Sequence, residues 1–162
     1  MDDSGKRTGF LILRAFFAQF WVLQFYFKIH DEESGIVALR NVGIWAQHVA
    51  ASFAKTPLPG WALVPYTHAL PWAELLIGLL FALGLKLRAA LVAAALLLVS
   101  LDIGLMLQGK HEDVARNLIF LVTLLLALQW EPFGRVWSID ALQGRSSTQP
   151  SAVSRRETPH SQ

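Results

Sequence analysis

Cysteine is absent from the 162-residue chain. This excludes disulfides, a C-x-x-C redox pair, thiolate-held metals and iron–sulfur clusters built within the chain. Redox chemistry here would require an organic cofactor, a haem or a partner subunit. Charge is scarce as well. Only 16% of residues are Asp, Glu, Lys or Arg, against about 25% in an average soluble domain. A formal charge of +2 is too small to argue for nucleic acid as a partner. There is no glycine-rich phosphate loop, no nucleophile elbow and no catalytic-triad order. The five histidines His30, His48, His68, His111 and His160 include no pair at i, i+4 or H-E-x-x-H spacing. They read as surface imidazoles, and no metal site is expected.

What the chain has is apolar sequence. Hydrophobic residues make up 54% of it, and they come in long blocks instead of alternating with polar ones. The length suits one domain. A bilayer core needs about 20 residues of helix, and four segments supply it: about 10–29, 65–85, 88–107 and 114–130. The first is a retained helix and not a signal peptide. Arg14, Gln19 and Gln24 interrupt its apolar run, and no small-x-small cleavage site follows. The fourth is short, so it either thins the bilayer locally or extends past these limits.

Between the first two spans, Ala38, Val42, Trp45, Val49 and Phe53 recur every three or four residues among Arg40, Asn41, Gln47 and His48. That spacing predicts an amphipathic helix over about 36–54, lying in the membrane interface or capping the bundle from outside. Pro57-Leu58-Pro59-Gly60 ends it. Glu131-Pro132-Phe133-Gly134 is expected to stop the fourth span. Residues 1–9 read as a mobile polar tail and 142–162 as a disordered one. The fold class is thus all-α: a four-helix integral membrane bundle over 10–141, with one additional interfacial helix.

Lys and Arg counts give the orientation. With both termini cytoplasmic, that side holds nine of them and the other side five (Lys28, Arg40, Lys55, Lys110 and Arg116). The positive-inside rule favours this arrangement in a bacterial inner (cytoplasmic) membrane. Trp61, Trp72, Trp130 and Trp137 then fall near the ends of spans, where interfacial tryptophans belong.

Ionisable and polar groups inside hydrocarbon are costly, and each is a functional candidate. Here they are Arg14, Gln24 and Lys28 on the first span, Glu74 on the second, Asp102 on the third and Asn117 on the fourth. At about 1.5 Å rise per residue, Gln24, Glu74, Asp102 and Asn117 lie at a similar height, roughly 18–21 Å from the cytoplasmic ends of their helices. Arg14, Trp21 and Lys28 are seven residues apart, with Gln24 on the same stripe, so one face of the first helix is expected to point inward. Gly78 and Gly84 suit close packing near Glu74.

Two readings of this layer are open. In one, Glu74, Asp102 and Lys28 form an ion-pair and hydrogen-bond network that fixes helix register. In the other, the layer lines a pocket open to the outer leaflet that binds a small polar head such as a quinone ring. Glu74 and Asp102 would then be the candidates for any proton transfer. Asp102 also lies near enough to its helix end to reach water. A small-solute transporter is a third class, but four short helices with no inverted repeat leave little room for alternating access.

The run from Pro71 through Glu74, Gly78, Gly84 and Arg88 to Ala90 resembles the signature of the DoxX-like family of four-helix membrane proteins (DoxX/DoxD/MauE-type). Arg14 and Lys28 fit that pattern, as does the ending Phe133-Gly134 to Ser138-Ile139-Asp140. The resemblance implies a membrane subunit associated with sulfur, quinone or oxidative-stress enzymes, or a maturation factor for a dehydrogenase. The expected cofactor is a quinone or none at all. The expected partners are membrane lipid, a partner oxidoreductase or assembly client, and further copies of the chain. The lack of cysteine sets this sequence apart from thiol-using relatives of the wider group.

Overall fold

The computed structural model describes residues 2–30 and 37–134. They form five helices: α1 (Asp3–Ile29), α2 (Arg40–Ser52), α3 (Gly60–Leu83), α4 (Leu87–Leu107) and α5 (His111–Gly134). No strand occurs among them, only an isolated bridge between His30 and Val37. Four of the helices, α1, α3, α4 and α5, are long and apolar enough to cross a membrane. Their outer surfaces make the same point. Ile12, Leu76, Leu96, Ile119 and Val122 are each more than half exposed. A soluble monomer rarely leaves so much contiguous apolar surface in water.

The helices run past the predicted limits where local chemistry allows. Residues 3–9, expected as a mobile tail, are the first turns of α1. Asp2 caps them, its Oδ1 accepting from Gly5 N–H at 3.1 Å. Bilayer thickness sets a minimum length for a span; it does not set where the helix ends. The same holds for α5, which continues through Glu131 and Pro132 to Gly134. Of the two alternatives for the fourth span, extension past 114–130 is the one that holds. Pro132 sits in the last turn, where it removes one N–H donor, and the helix ends two residues later at Gly134. Beyond Gly134, the resemblance residues Ser138, Ile139 and Asp140, together with Trp137, lie outside the described residues, as does the 142–162 tail.

Two glycines make the turns. α3 ends at Gly84, whose φ of +68° is left-handed. Gly84 N–H donates to Phe81 O, and Leu85 N–H to Leu80 O at 3.1 Å. This 6→1 and 5→2 pair is a Schellman motif. Gly109 (φ +73°) repeats it after α4, with Lys110 N–H donating to Leu105 O. Each turn joins two antiparallel spans with few residues.

α1 is the spine of the bundle. It packs most extensively against α3 and also against α5, while α4 leans mainly on α5. α3 and α4, neighbours in sequence, meet only sparsely. The core is aromatic on α1: Phe10, Phe17 and Trp21 are nearly wholly buried. Phe17 stacks on Phe81 of α3 at 5.8 Å, and Phe20 on Phe120 of α5 at 4.8 Å. Such pairs add about 0.5–1.5 kcal/mol each beyond the area they bury.

α2 is the interfacial helix, and it lies across one end of the bundle. Val42 and Ala46 are its buried face, while Ile44 stays exposed. It is strapped down at both ends. Asn41 Nδ2 donates to Ile29 O at 2.8 Å. At the other end Gln108 Nε2 donates to Ser52 Oγ at 3.1 Å, and Phe53 abuts Gly104. The interfacial and capping alternatives therefore describe one helix.

Candidate functional site

The stripe on α1 faces inward at Trp21 and Lys28, both of which are buried. Lys28 reaches across to Glu74 on α3 and forms a buried salt bridge with it. Two features bring these groups together. Gly78, one turn beyond Glu74, has no side chain, so α3 approaches the α1 backbone: a Cβ there would lie 3.0 Å from Val22 N and 2.9 Å from Val22 Cγ2. Trp45 of α2 then covers the ammonium, with Lys28 Nζ 4.8 Å from the ring centroid. A cation on an aromatic face is worth about 0.5–2 kcal/mol, more where desolvated.

Beside this pair is a cavity of about 330 Å³, lined on its polar side by Gln24, Lys28, Glu74 and Asn117. Trp21 and Trp45 complete that side, and leucines from α3 and α4 form the apolar wall. Every helix contributes to it. Asn117 Nδ2 donates to Asp102 Oδ1 at 2.7 Å, linking α5 to α4. The carboxamide of Gln24 has no partner among the described residues, so it is available to a guest. The cavity thus combines an ammonium, a carboxylate and two carboxamides with apolar walls. Ligand pockets typically pair a mostly apolar lining with a few fixed polar groups in this way.

Of the six sequence candidates, the cavity gathers Gln24, Lys28, Glu74 and Asn117, and Asp102 joins through Asn117. Asp102 pairs with Asn117 and not with Lys28, so the expected single network is two separate pairs. Arg14 is apart. It lies ten residues, about 15 Å of helix, from Gln24. Its Nε donates to Phe81 O at 2.7 Å and its Nη2 to Ala82 O at 2.9 Å. It thereby adds charged donors to the carbonyls at the end of α3, that of Ala82 and that of Phe81, which Gly84 N–H also engages. A Cβ on Gly84 would meet this guanidinium at 2.6 Å, so Gly84 serves both the turn and the arginine.

Arg14→Met is expected to lower stability by about 1–3 kcal/mol, through loss of the charge-assisted hydrogen bonds to the Phe81 and Ala82 carbonyls. Arg14→Lys should not restore it, because an ammonium lacks the guanidinium fork. A thermal melt in detergent reads both variants.

The sequence reading missed Trp45 as a member of the site. Its signal was faint: one aromatic on an amphipathic helix looks like packing until the lysine beneath it is seen. Glu131, which the sequence offers only as part of a helix stop, is buried. Among the histidines, His30 stacks on Tyr26 at 5.5 Å. His68 Nδ1–H donates to Val64 O at 2.9 Å. His48 and His111 are exposed, and His160 lies outside the described residues. No group of three or more His, Asp or Glu side chains is placed to hold a metal among the described residues. Comparison of the chain with protein-family models, with curated proteins and with solved structures finds no match in any of the three.

Proposed function

We propose that this chain is a DoxX-like, multi-pass protein of the bacterial cytoplasmic membrane that binds the polar head of a quinone, as a redox-associated subunit of a membrane oxidoreductase system. The observation that supports this is the cavity itself. Apolar walls surround a buried Lys28–Glu74 pair and a Gln24 carboxamide that has no partner among the described residues. A ring with carbonyl or hydroxyl groups at opposite ends matches these donors and acceptors. The start of α1 and the end of α5 meet, with Trp130 beside Gly9. Four crossings keep both on one side, and the Lys/Arg asymmetry supports taking that side as cytoplasmic.

The protein purified in mild detergent is expected to carry a stoichiometric quinone, detected by extraction and mass spectrometry. Glu74→Gln should lose the quinone while still inserting. A wild-type preparation free of quinone, or a Glu74→Gln variant that retains it, sinks the reading.

One observation favours a second reading, a membrane anchor or assembly factor for a partner enzyme. Val37, Leu39 and Ile44 present exposed apolar side chains at and beside α2. On this reading Leu39→Glu with Ile44→Glu releases the partner, and Glu74→Gln does not.

A further inference from the structure

A second cavity, of about 300 Å³, lies between the end of α1 and α2 and is bordered by His30, Asn41, Ile44 and His48. Its wall also includes Lys28 and Trp45, the two residues that border the Glu74 cavity from above. One ammonium under one indole therefore separates the two spaces.

Two further observations concern polar atoms without partners. Among the described residues, the buried side-chain nitrogens lacking any hydrogen bond are Trp21 Nε1 and His30 Nδ1. Trp21 lines the inner cavity and His30 the outer one. A buried polar atom left unsatisfied costs about 1–3 kcal/mol, and polar cavities usually resolve this with ordered water. Each cavity has room for several waters, which take about 30 Å³ apiece in the liquid. The unpartnered carboxamide of Gln24 is a third polar group in the same column. Lipid tails satisfy none of these groups.

We propose that the two cavities form one hydrated cleft, open on the α2 face of the membrane and reaching down to Glu74 and Gln24, with Trp45 seated on Lys28 as the divider that slows passage. Small water-borne polar solutes and water reach the inner cavity by this route and not laterally from the bilayer. This goes beyond the quinone reading and does not depend on it, since the route exists whichever ligand the cavity holds.

The cysteine-free chain allows a direct test. Gln24→Cys places the only thiol in the inner cavity, at a side chain with no partner to lose. Asn117→Cys is a second position if the first fails to fold. Each is exposed, in right-side-out and in inverted vesicles, to a membrane-impermeant sulfonated methanethiosulfonate and to a lipophilic pyrene maleimide. Lys110→Cys marks the α2 side, Arg88→Cys the opposite side, and Leu118→Cys, on an exposed apolar face, the lipid.

The Gln24→Cys thiol is expected to react with the sulfonated reagent from the Lys110 side alone. Adding Trp45→Ala should speed that reaction by about thirtyfold, the factor carried by a desolvated cation–π contact. Three results overturn the proposal: labelling by the pyrene reagent alone, as at Leu118→Cys; no labelling by either reagent at both cavity positions; or a rate that Trp45→Ala leaves unchanged. Labelling is read without any quinone present, so its failure and the failure of quinone binding are told apart.

Discussion

Glu74→Ala is expected to cost the bundle about 3–5 kcal/mol, because it leaves Lys28 as an uncompensated buried charge. Lys28→Ala should cost a similar amount by stranding the carboxylate. The informative variant removes both charges. Lys28→Met with Glu74→Leu replaces the pair by apolar groups of similar volume, and such replacements are often neutral or stabilising by about 1–4 kcal/mol. Thermal melts of the two single variants and the double variant in one detergent give the coupling between the residues. Single variants that melt with the wild type would show that the pair contributes nothing to the fold. The double variant also separates the two roles of the site. A stable bundle that has lost its ligand assigns the pair to binding, whereas a stable bundle that keeps its ligand assigns it to neither.

Gly78→Val is expected to destabilise the bundle strongly. The space that a Cβ would need is taken by the Val22 main-chain nitrogen at 3.0 Å and by Trp21 Cβ at 3.2 Å. A flexible side chain can move aside, but a helix backbone moves only if the whole helix does. Extra methyl groups in a well-packed core cost about 1–3 kcal/mol when side chains absorb the strain, and here they cannot. Separation of α1 from α3 would also pull Lys28 from Glu74. The variant should therefore melt early and lose whatever binds the cavity, while Gly43→Val, where nothing lies within 4 Å of the added carbon, leaves both unchanged. A normal melt for Gly78→Val would show that α1 and α3 do not pack this closely.

Much of this was legible beforehand because hydrocarbon is an unforgiving solvent. A helix can place Lys28, Glu74 or Asn117 in a membrane only where a partner or a cavity receives it, so counting residues along each span located the layer. The stripe of Arg14, Trp21 and Lys28 showed which side of α1 faces inward, because seven residues make nearly two turns. What the chain did not disclose was pairing. Periodicity gives a face and a height, and four groups at one height admit several partner sets. Choosing Lys28–Glu74 and Asn117–Asp102 depends on which helices are neighbours, and that order is a tertiary fact.

Arg14 misled for a related reason. A guanidinium in an apolar span looks like a ligand-binding charge, but backbone carbonyls at the end of another helix are equally good acceptors, and no side-chain pattern reports them. Helix ends were missed because hydropathy ends where the bilayer does, whereas Asp2 and Gly84 end helices through hydrogen bonds and φ.

The position of α1 carries a consequence for how the bundle is made. Its aromatic face touches α3 on one side and α5 on the other, and Phe10 lies against Gly134, at the far end of the described chain. A chain emerging from the ribosome presents α1 first and α5 last. When α3 appears, Arg14 and Lys28 find their acceptors, so the charged half of α1 is settled early. Phe16 and Phe20, which stack on Phe120, must wait for the last helix. Until then that seam of α1 faces lipid, or another protein that shields it. Among the described helices it is α5 that closes the bundle, and a nascent chain lacking it has an unsealed side along α1.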